Sequence, residues 1–97
     1  MSNIHGSRRF KRHDGVLRQE VSGSVILFHM DNGRYYSLNE VGTRAWELCD
    51  GRRTLSDIVG VLAGEFDAPE ATIQADIALL FSDLSHEQLL LDVQQAA

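Results

Sequence analysis

The spacing of apolar and polar positions divides the chain into a strand-forming first half and a helical second half. Val16 to Val21 alternates, with Leu17, Gln19 and Val21 on one side and Val16, Arg18 and Glu20 on the other, the period of a half-buried strand. Ser22-Gly23 supplies a turn. Ser24-Val-Ile-Leu-Phe-His-Met30 follows as a β-branched and aromatic run bounded by Asp31-Asn32-Gly33, a second and more buried strand. Arg34 to Leu38 supplies the third.

The register between the second and third strands depends on the loop, because a slip of one residue turns every side chain to the other face. A two-residue Asn32-Gly33 loop pairs Met30 with Tyr35 and Phe28 with Ser37, placing a serine opposite a core aromatic. A three-residue Asp31-Asn32-Gly33 loop pairs Phe28 with Tyr36 and Ile26 with Leu38, with Gly33 as the left-handed residue. The second is preferred because it gathers four large side chains on one face.

Beyond Leu38 the period becomes helical. Asn39 is placed to cap a helix over about residues 40–49, with Asp50-Gly51 as its stop. Thr54 with Asp57 resembles a capping box, and Leu55, Ile58, Val59, Leu62 and Phe66 form the apolar stripe of a second helix ending at about Phe66. Pro69 suits the first turn of a third helix, in which Ile73, Ile77, Leu80 and Leu84 share a face through about Gln88. Leu89 to Val93 is open to two readings, a short closing strand or a frayed helix end. The expected fold class is α+β, a three-stranded antiparallel sheet followed by three helices, with the outline of a winged helix-turn-helix.

Composition narrows what such a fold does. A chain of 97 residues with 43% apolar content suits one domain with one modest core. No apolar run approaches the roughly 18 residues of a membrane span, and the polar N-terminus lacks a secretory signal, so a soluble, cytoplasmic protein is expected. The net charge of -5 is uneven: residues 1–18 hold Arg8, Arg9, Lys11, Arg12 and Arg18 against Asp14 alone. With Gly and Ser among them, residues 1–13 read as a flexible basic arm, residues 14–93 as the domain and residues 94–97 as a tail.

Chemistry-bearing residues are sparse. Cys49, the single cysteine, reads as a small helical core residue. His5, His13, His29 and His86 show no i, i+4 pair that would put two metal ligands on one helix face. No glycine-rich phosphate loop or nucleophile–base signature is present; Gly60 and Gly64 in the second helix read as sites of close helix packing. Neither an enzyme, nor a cofactor, nor a metal is expected.

DNA binding is the alternative suggested by the helix trio, but residues 69–88 contain no Lys or Arg, while Glu70, Asp76, Asp83 and Glu87 would repel phosphate. Peptide binding fits better. In a simple meander the third strand is an edge, and Arg34, Tyr35, Tyr36, Ser37 and Leu38 include no proline or bulge to blunt it. Such an edge can accept an added strand. With Leu80 at zero and about 100° per residue, Thr72, Asp76, Leu79 and Asp83 fall together on one flank of the third helix. An apolar residue between acids suits a groove for an apolar and basic peptide; a core-margin leucine with solvated acids around it is the other reading.

Several short motifs stand in order along this stretch: Gly33-Arg-Tyr-Tyr-Ser-Leu-Asn39, Gly42-Thr-Arg-Ala-Trp46, Asp50-Gly51, Arg53-Thr54, Asp57-Ile58 and Asp76-Ile77. Their order and spacing resemble the PqqD family over roughly residues 14–91, with Ala45 where an aliphatic isoleucine is usual and His86-Glu87-Gln88 in place of a common glycine. The resemblance implies a precursor-peptide recognition element of three strands and three helices. In such a domain the leader of a ribosomally made peptide adds beside the third strand, toward the third helix. Carried over, the contacts are the backbone of Arg34 to Leu38 and the flank of Asp76, Leu79 and Asp83. The implied partners are the leader peptide and a modifying enzyme: a leader protease, a cyclase or a radical SAM enzyme. The Tyr-Tyr-Ser-Leu-Asn and Trp-bearing version is more similar to the stand-alone leader-binding proteins of lasso-peptide pathways than to those of pyrroloquinoline quinone synthesis.

Overall fold

The computed structural model describes residues 6–93. Along the chain it runs β1 (Arg9–Arg12), β2 (Val16–Val21), β3 (Ser24–His29), β4 (Tyr35–Leu38), α1 (Glu40–Glu47), β5 (Asp50–Thr54), α2 (Leu55–Phe66), α3 (Glu70–His86) and β6 (Leu90–Asp92). The strands form two three-stranded antiparallel sheets, β5–β1–β6 and β2–β3–β4. The class is α+β with three helices, as expected; the second sheet was not.

That second sheet arises where the sequence suggested a solvated arm. Arg9-Phe-Lys-Arg12 is the central strand of β5–β1–β6, and Phe10 is fully buried, its ring edge-on to Phe81 at 5.1 Å between centroids. Burying one such ring stabilises the fold by about 2–3 kcal/mol, enough to outweigh the ordering of a short basic segment. The charged neighbours stay at the rim, where Arg8 pairs with Asp92 at 3.0 Å. Residues 1–5 of the arm and the tail at 94–97 lie outside the described residues. The closing strand at residues 90–92 does form, and its partner is β1.

Asp50-Gly51 also acts differently from its reading as a helix stop. The first helix ends at Glu47, and Asp50 begins β5, its carboxylate accepting the Arg52 and Arg53 N–H groups at 2.9 and 3.0 Å while Gly51 takes φ +83°. The caps read from the sequence are in place. Asn39 Oδ1 accepts from the Gly42 N–H at 2.8 Å, and Thr54 and Asp57 exchange both bonds of a capping box. Gly60 and Gly64 do not serve close packing: both are exposed on α2, and a Cβ at either would meet nothing within 4 Å.

The β2–β3 hairpin closes through Ser22 and Gly23, both with positive φ, so that Val21 pairs with Ser24. The β3–β4 register differs from both expected pairings. Gly33 is left-handed at φ +74°, but the loop holds four residues, Met30 to Gly33, and pairs Val25 with Leu38 and Leu27 with Tyr36. Side chains favour the longer loop: His29 Nδ1 accepts from the Asp31 N–H at 3.1 Å and Asn32 Oδ1 from the Arg34 N–H at 2.9 Å. Tyr36 and Leu38 therefore face inward as expected, whereas Val25 and Leu27 replace Ile26 and Phe28 on the inner face. Phe28 and Tyr35 stand on the outer face, exposed.

Candidate functional site

The inner face of β2–β3–β4 packs on α1, and a groove of about 500 Å³ opens between β4 and α3. Its strand wall is Tyr36, Ser37 and Leu38, followed by Asn39, with Ser24 beside them; its helix wall is Ile73, Asp76, Ile77 and Leu80; Val41 and Gly42 of α1 close the end. The walls meet closely at Gly42, where a Cβ would lie 3.3 Å from Leu80 Cδ2 and 3.4 Å from Leu38 Cδ2. Any larger residue there would force the groove's end to shift.

The strand wall carries unused backbone groups. His29 N–H donates to Arg34 C=O, so by the antiparallel alternation Arg34, Tyr36 and Leu38 direct their backbone groups at β3. The N–H and C=O of Tyr35 and Ser37 then point away from the sheet, along the groove's rim. Among the described residues no strand pairs with that side of β4.

At the far end polar bonds join the two walls. Tyr36 Oη donates to Asp83 Oδ2 at 3.2 Å, and Arg34 pairs with Glu87 at 2.6 Å. Burial first, and then the Asp83 and Glu87 carboxylates, hold the Tyr36 phenol above the usual tyrosine range. With Asp76 in the wall and Asp83 at the end, the groove is acidic over an apolar floor.

The residues singled out from the sequence distribute unevenly over this site. Tyr36, Ser37, Leu38 and Asp76 line the groove, and Asp83 joins it through Tyr36. Arg34 is held toward Glu87, and the Tyr35 side chain, 71% exposed, stands on the other face of the sheet. Thr72 and Leu79 do not line the cavity; Leu79 is 67% exposed on the adjoining flank of α3, which excludes the core-margin reading. Ile73 and Ile77, assigned by their spacing to the core, are buried there and, with the partly buried Leu80, also supply the apolar wall of the groove. The sign that was available is the width of the apolar arc on α3, which with Phe81 exceeds what one core contact needs.

The rest of the molecule offers less. Cys49 is buried, and burial pushes its thiol far up, away from reactivity. Trp46 is buried beneath Arg12, whose guanidinium lies 5.6 Å from the ring centroid. His13 and His29, distant in sequence, bring their rings to 4.4 Å. Among the described residues no three of His, Cys, Asp and Glu are placed to hold a metal ion, and no helix is long and apolar enough to cross a membrane.

A profile of the family described as Coenzyme PQQ synthesis protein D (PqqD) matches residues 24–90. A protein of Xanthomonas oryzae pv. oryzae named PqqA binding protein is 39% identical over 57 residues, 59% of this chain and 62% of that protein. The chain spans somewhat under two thirds of the length of the curated relatives it matches first. Among solved structures, the PqqD truncation of Methylobacterium extorquens PqqCD, described as a functional and stand-alone RiPP recognition element, is 26% identical. It superposes with a TM-score of 0.76 over 92% of this chain and 95% of that one. TbiB1 in complex with the TbiA(β) leader peptide is 28% identical, with a TM-score of 0.71 over 82% of this chain and 93% of that one.

Proposed function

Since the chain belongs to the PqqD family, we propose that it binds the leader segment of a ribosomally synthesised precursor peptide as a strand added to β4. The observation that carries this reading is the pairing of an open strand edge with an apolar, acidic groove: the strand whose Tyr35 and Ser37 backbone groups point outward lines the groove with Tyr36, Ser37 and Leu38, opposite Ile73, Asp76, Ile77 and Leu80. An added strand bonds to those two residues. Its alternate side chains enter the groove, and the others join Tyr35 and Ser37 on the outer face. Basic leader residues are favoured near Asp76 and Asp83. The likeness to a leader-bound structure and to proteins named for binding PqqA supports the same reading.

On this reading the protein is not an enzyme. It holds the leader, in the cytoplasm, for a modifying partner such as a leader protease, a cyclase or a radical SAM enzyme. The winged helix-turn-helix outline serves as a peptide-binding frame; α3, without Lys or Arg, is not favoured as a DNA-reading helix. Titrating the isotope-labelled protein with the leader of a neighbouring precursor gene is expected to shift the amide signals of residues 34–38 and 72–83. Shifts confined to residues 6–13 would refute the site.

A further inference from the structure

The sheet that carries the groove has a second open edge. Among the described residues β2 pairs with β3 on one side only, and its six residues contain no proline, lysine or bulge to protect the edge; the charges they carry are one of each sign, Arg18 and Glu20. Because Val21 and Ser24 close a two-residue hairpin, Leu17, Gln19 and Val21 direct their backbone groups at β3. Those of Arg18 and Glu20 point outward, whereas the Val16 N–H on the same side donates to His13 C=O at 3.3 Å. The apolar side chains on this strand are also uncovered, Leu17 being 54% and Val21 47% exposed.

We propose that the β2 edge pairs antiparallel with the β2 edge of a second copy of this chain, about a two-fold axis at Gln19. The pattern Leu17-Arg18-Gln19-Glu20-Val21 is complementary to its own reverse. In this register Arg18 of each copy stands opposite Glu20 of the other, and Leu17 opposite Val21. The outward backbone groups of Arg18 and Glu20 meet one another, and Gln19 faces itself as a pair without backbone bonds. The two neighbouring registers that the backbone permits fail on charge: one puts Arg18 opposite Arg18, the other Glu20 opposite Glu20. Glu20, its side chain 71% exposed, lies 3.6 Å from Arg18 of its own strand, and Arg18 also pairs with Glu47 of α1 at 2.5 Å, so pairing between copies draws Glu20 from its own Arg18 to that of the other copy.

The β4 edge offers no comparable choice. It lacks charges to set a register, and α3 stands across the groove from it. Pairing through β2 joins two sheets into one of six strands with β4 at both outer edges, so two grooves stay open. The interface is small and belongs to the weak, transient class below about 1,200 Å² of buried surface. It is independent of peptide binding.

Sedimentation equilibrium of the full chain, without peptide, is expected to show a monomer–dimer equilibrium at about 100 µM and above, a range typical of such interfaces. Gln19→Cys places two thiols on the axis, and Cys49 is buried, so oxidation is expected to give a linked dimer. Pairing raises the effective thiol concentration, so linkage should run at least about tenfold faster than for Gln74→Cys on the exposed face of α3. Arg18→Glu and Glu20→Arg are each expected to be folded monomers by circular dichroism, and an equal mixture to dimerise, because every cross-strand pair is then opposite in charge. A monomer mass across the whole range, or Gln19→Cys linking no faster than Gln74→Cys, would overturn the proposal. Should the charge variants misfold, the cysteine pair alone decides it.

Discussion

The two sheets divide the labour of the fold. In β5–β1–β6 the central strand buries Phe10 against Phe81 and closes the core, joining segments from opposite ends of the described chain. In β2–β3–β4 neighbouring segments pair through short hairpins, both edges stay open among the described residues, and the outer face exposes Leu17, Phe28 and Tyr35. In the first sheet the strand that carries the core residue, β1, is paired on both sides within the molecule, whereas in the second the edge strands β2 and β4 flank the groove-bearing face with one side each unpaired. A small domain separates stability from recognition in this way, because a strand can hardly both seal a core and offer its backbone.

Substitutions can break that contrast or sharpen it. Phe10→Ala carries the largest expected effect, a loss of about 3–5 kcal/mol in urea unfolding, since the ring is fully buried; an arm outside the core would give no change. Ser37→Pro removes an N–H that the ladder does not use. It is expected to leave stability within about 1 kcal/mol while weakening leader binding about tenfold by calorimetry, the loss of one peptide-facing donor. Equal losses in both would show that β4 is sealed from within.

Thr54→Ala, at the end of β5, removes the cap of α2 and is expected to cost about 1 kcal/mol. The Thr54 backbone N–H and then its hydroxyl hold the Asp57 carboxyl below the usual carboxylate range. A depressed folded-state value means that this contribution is complete above the unfolded carboxylate range and fades as pH falls through the lower folded one. Urea midpoints from pH 7 to pH 2 should therefore converge for Asp57→Asn and the parent chain at the acid end. Leu79→Asp gives the smallest change: melting within about 0.5 kcal/mol of the parent, as for a surface position, with a smaller loss of leader affinity than Ser37→Pro.

Much of the architecture was legible because local rules govern it. The strand at Val16 to Val21, the Ser22-Gly23 turn, the caps at Asn39 and Thr54 and the apolar spacing of α2 and α3 each report a short-range preference, although β2 is not half-buried as expected, since Leu17 and Val21 stand exposed. What escaped was non-local. β1 shows one apolar residue among four, and only its distant partners β5 and β6 make Phe10 a core residue. That omission hid Phe81, so the buried face of α3 lies toward Phe81 rather than centred on Leu80. The β3–β4 register escaped because His29 and Asn32 side chains stabilise a four-residue loop that composition alone does not distinguish from a shorter one. In the groove, the strand edge and Asp76 were legible, and Ile73 and Ile77 were rightly placed in the core; that they also wall the groove was missed, because the same helix face serves both.

One feature of the first sheet also bears on how the molecule is made. β1 is synthesised early, but one of its two partners, β6, is Leu90–Asp92. The three strands of the groove-bearing sheet can pair as soon as they leave the ribosome, because their contacts are close in sequence. β1 must wait, its phenylalanine uncovered, until nearly the whole described chain has been translated. Closure of the core is thus a late event, and the interval before it is when this small protein is most exposed to proteases and to aggregation.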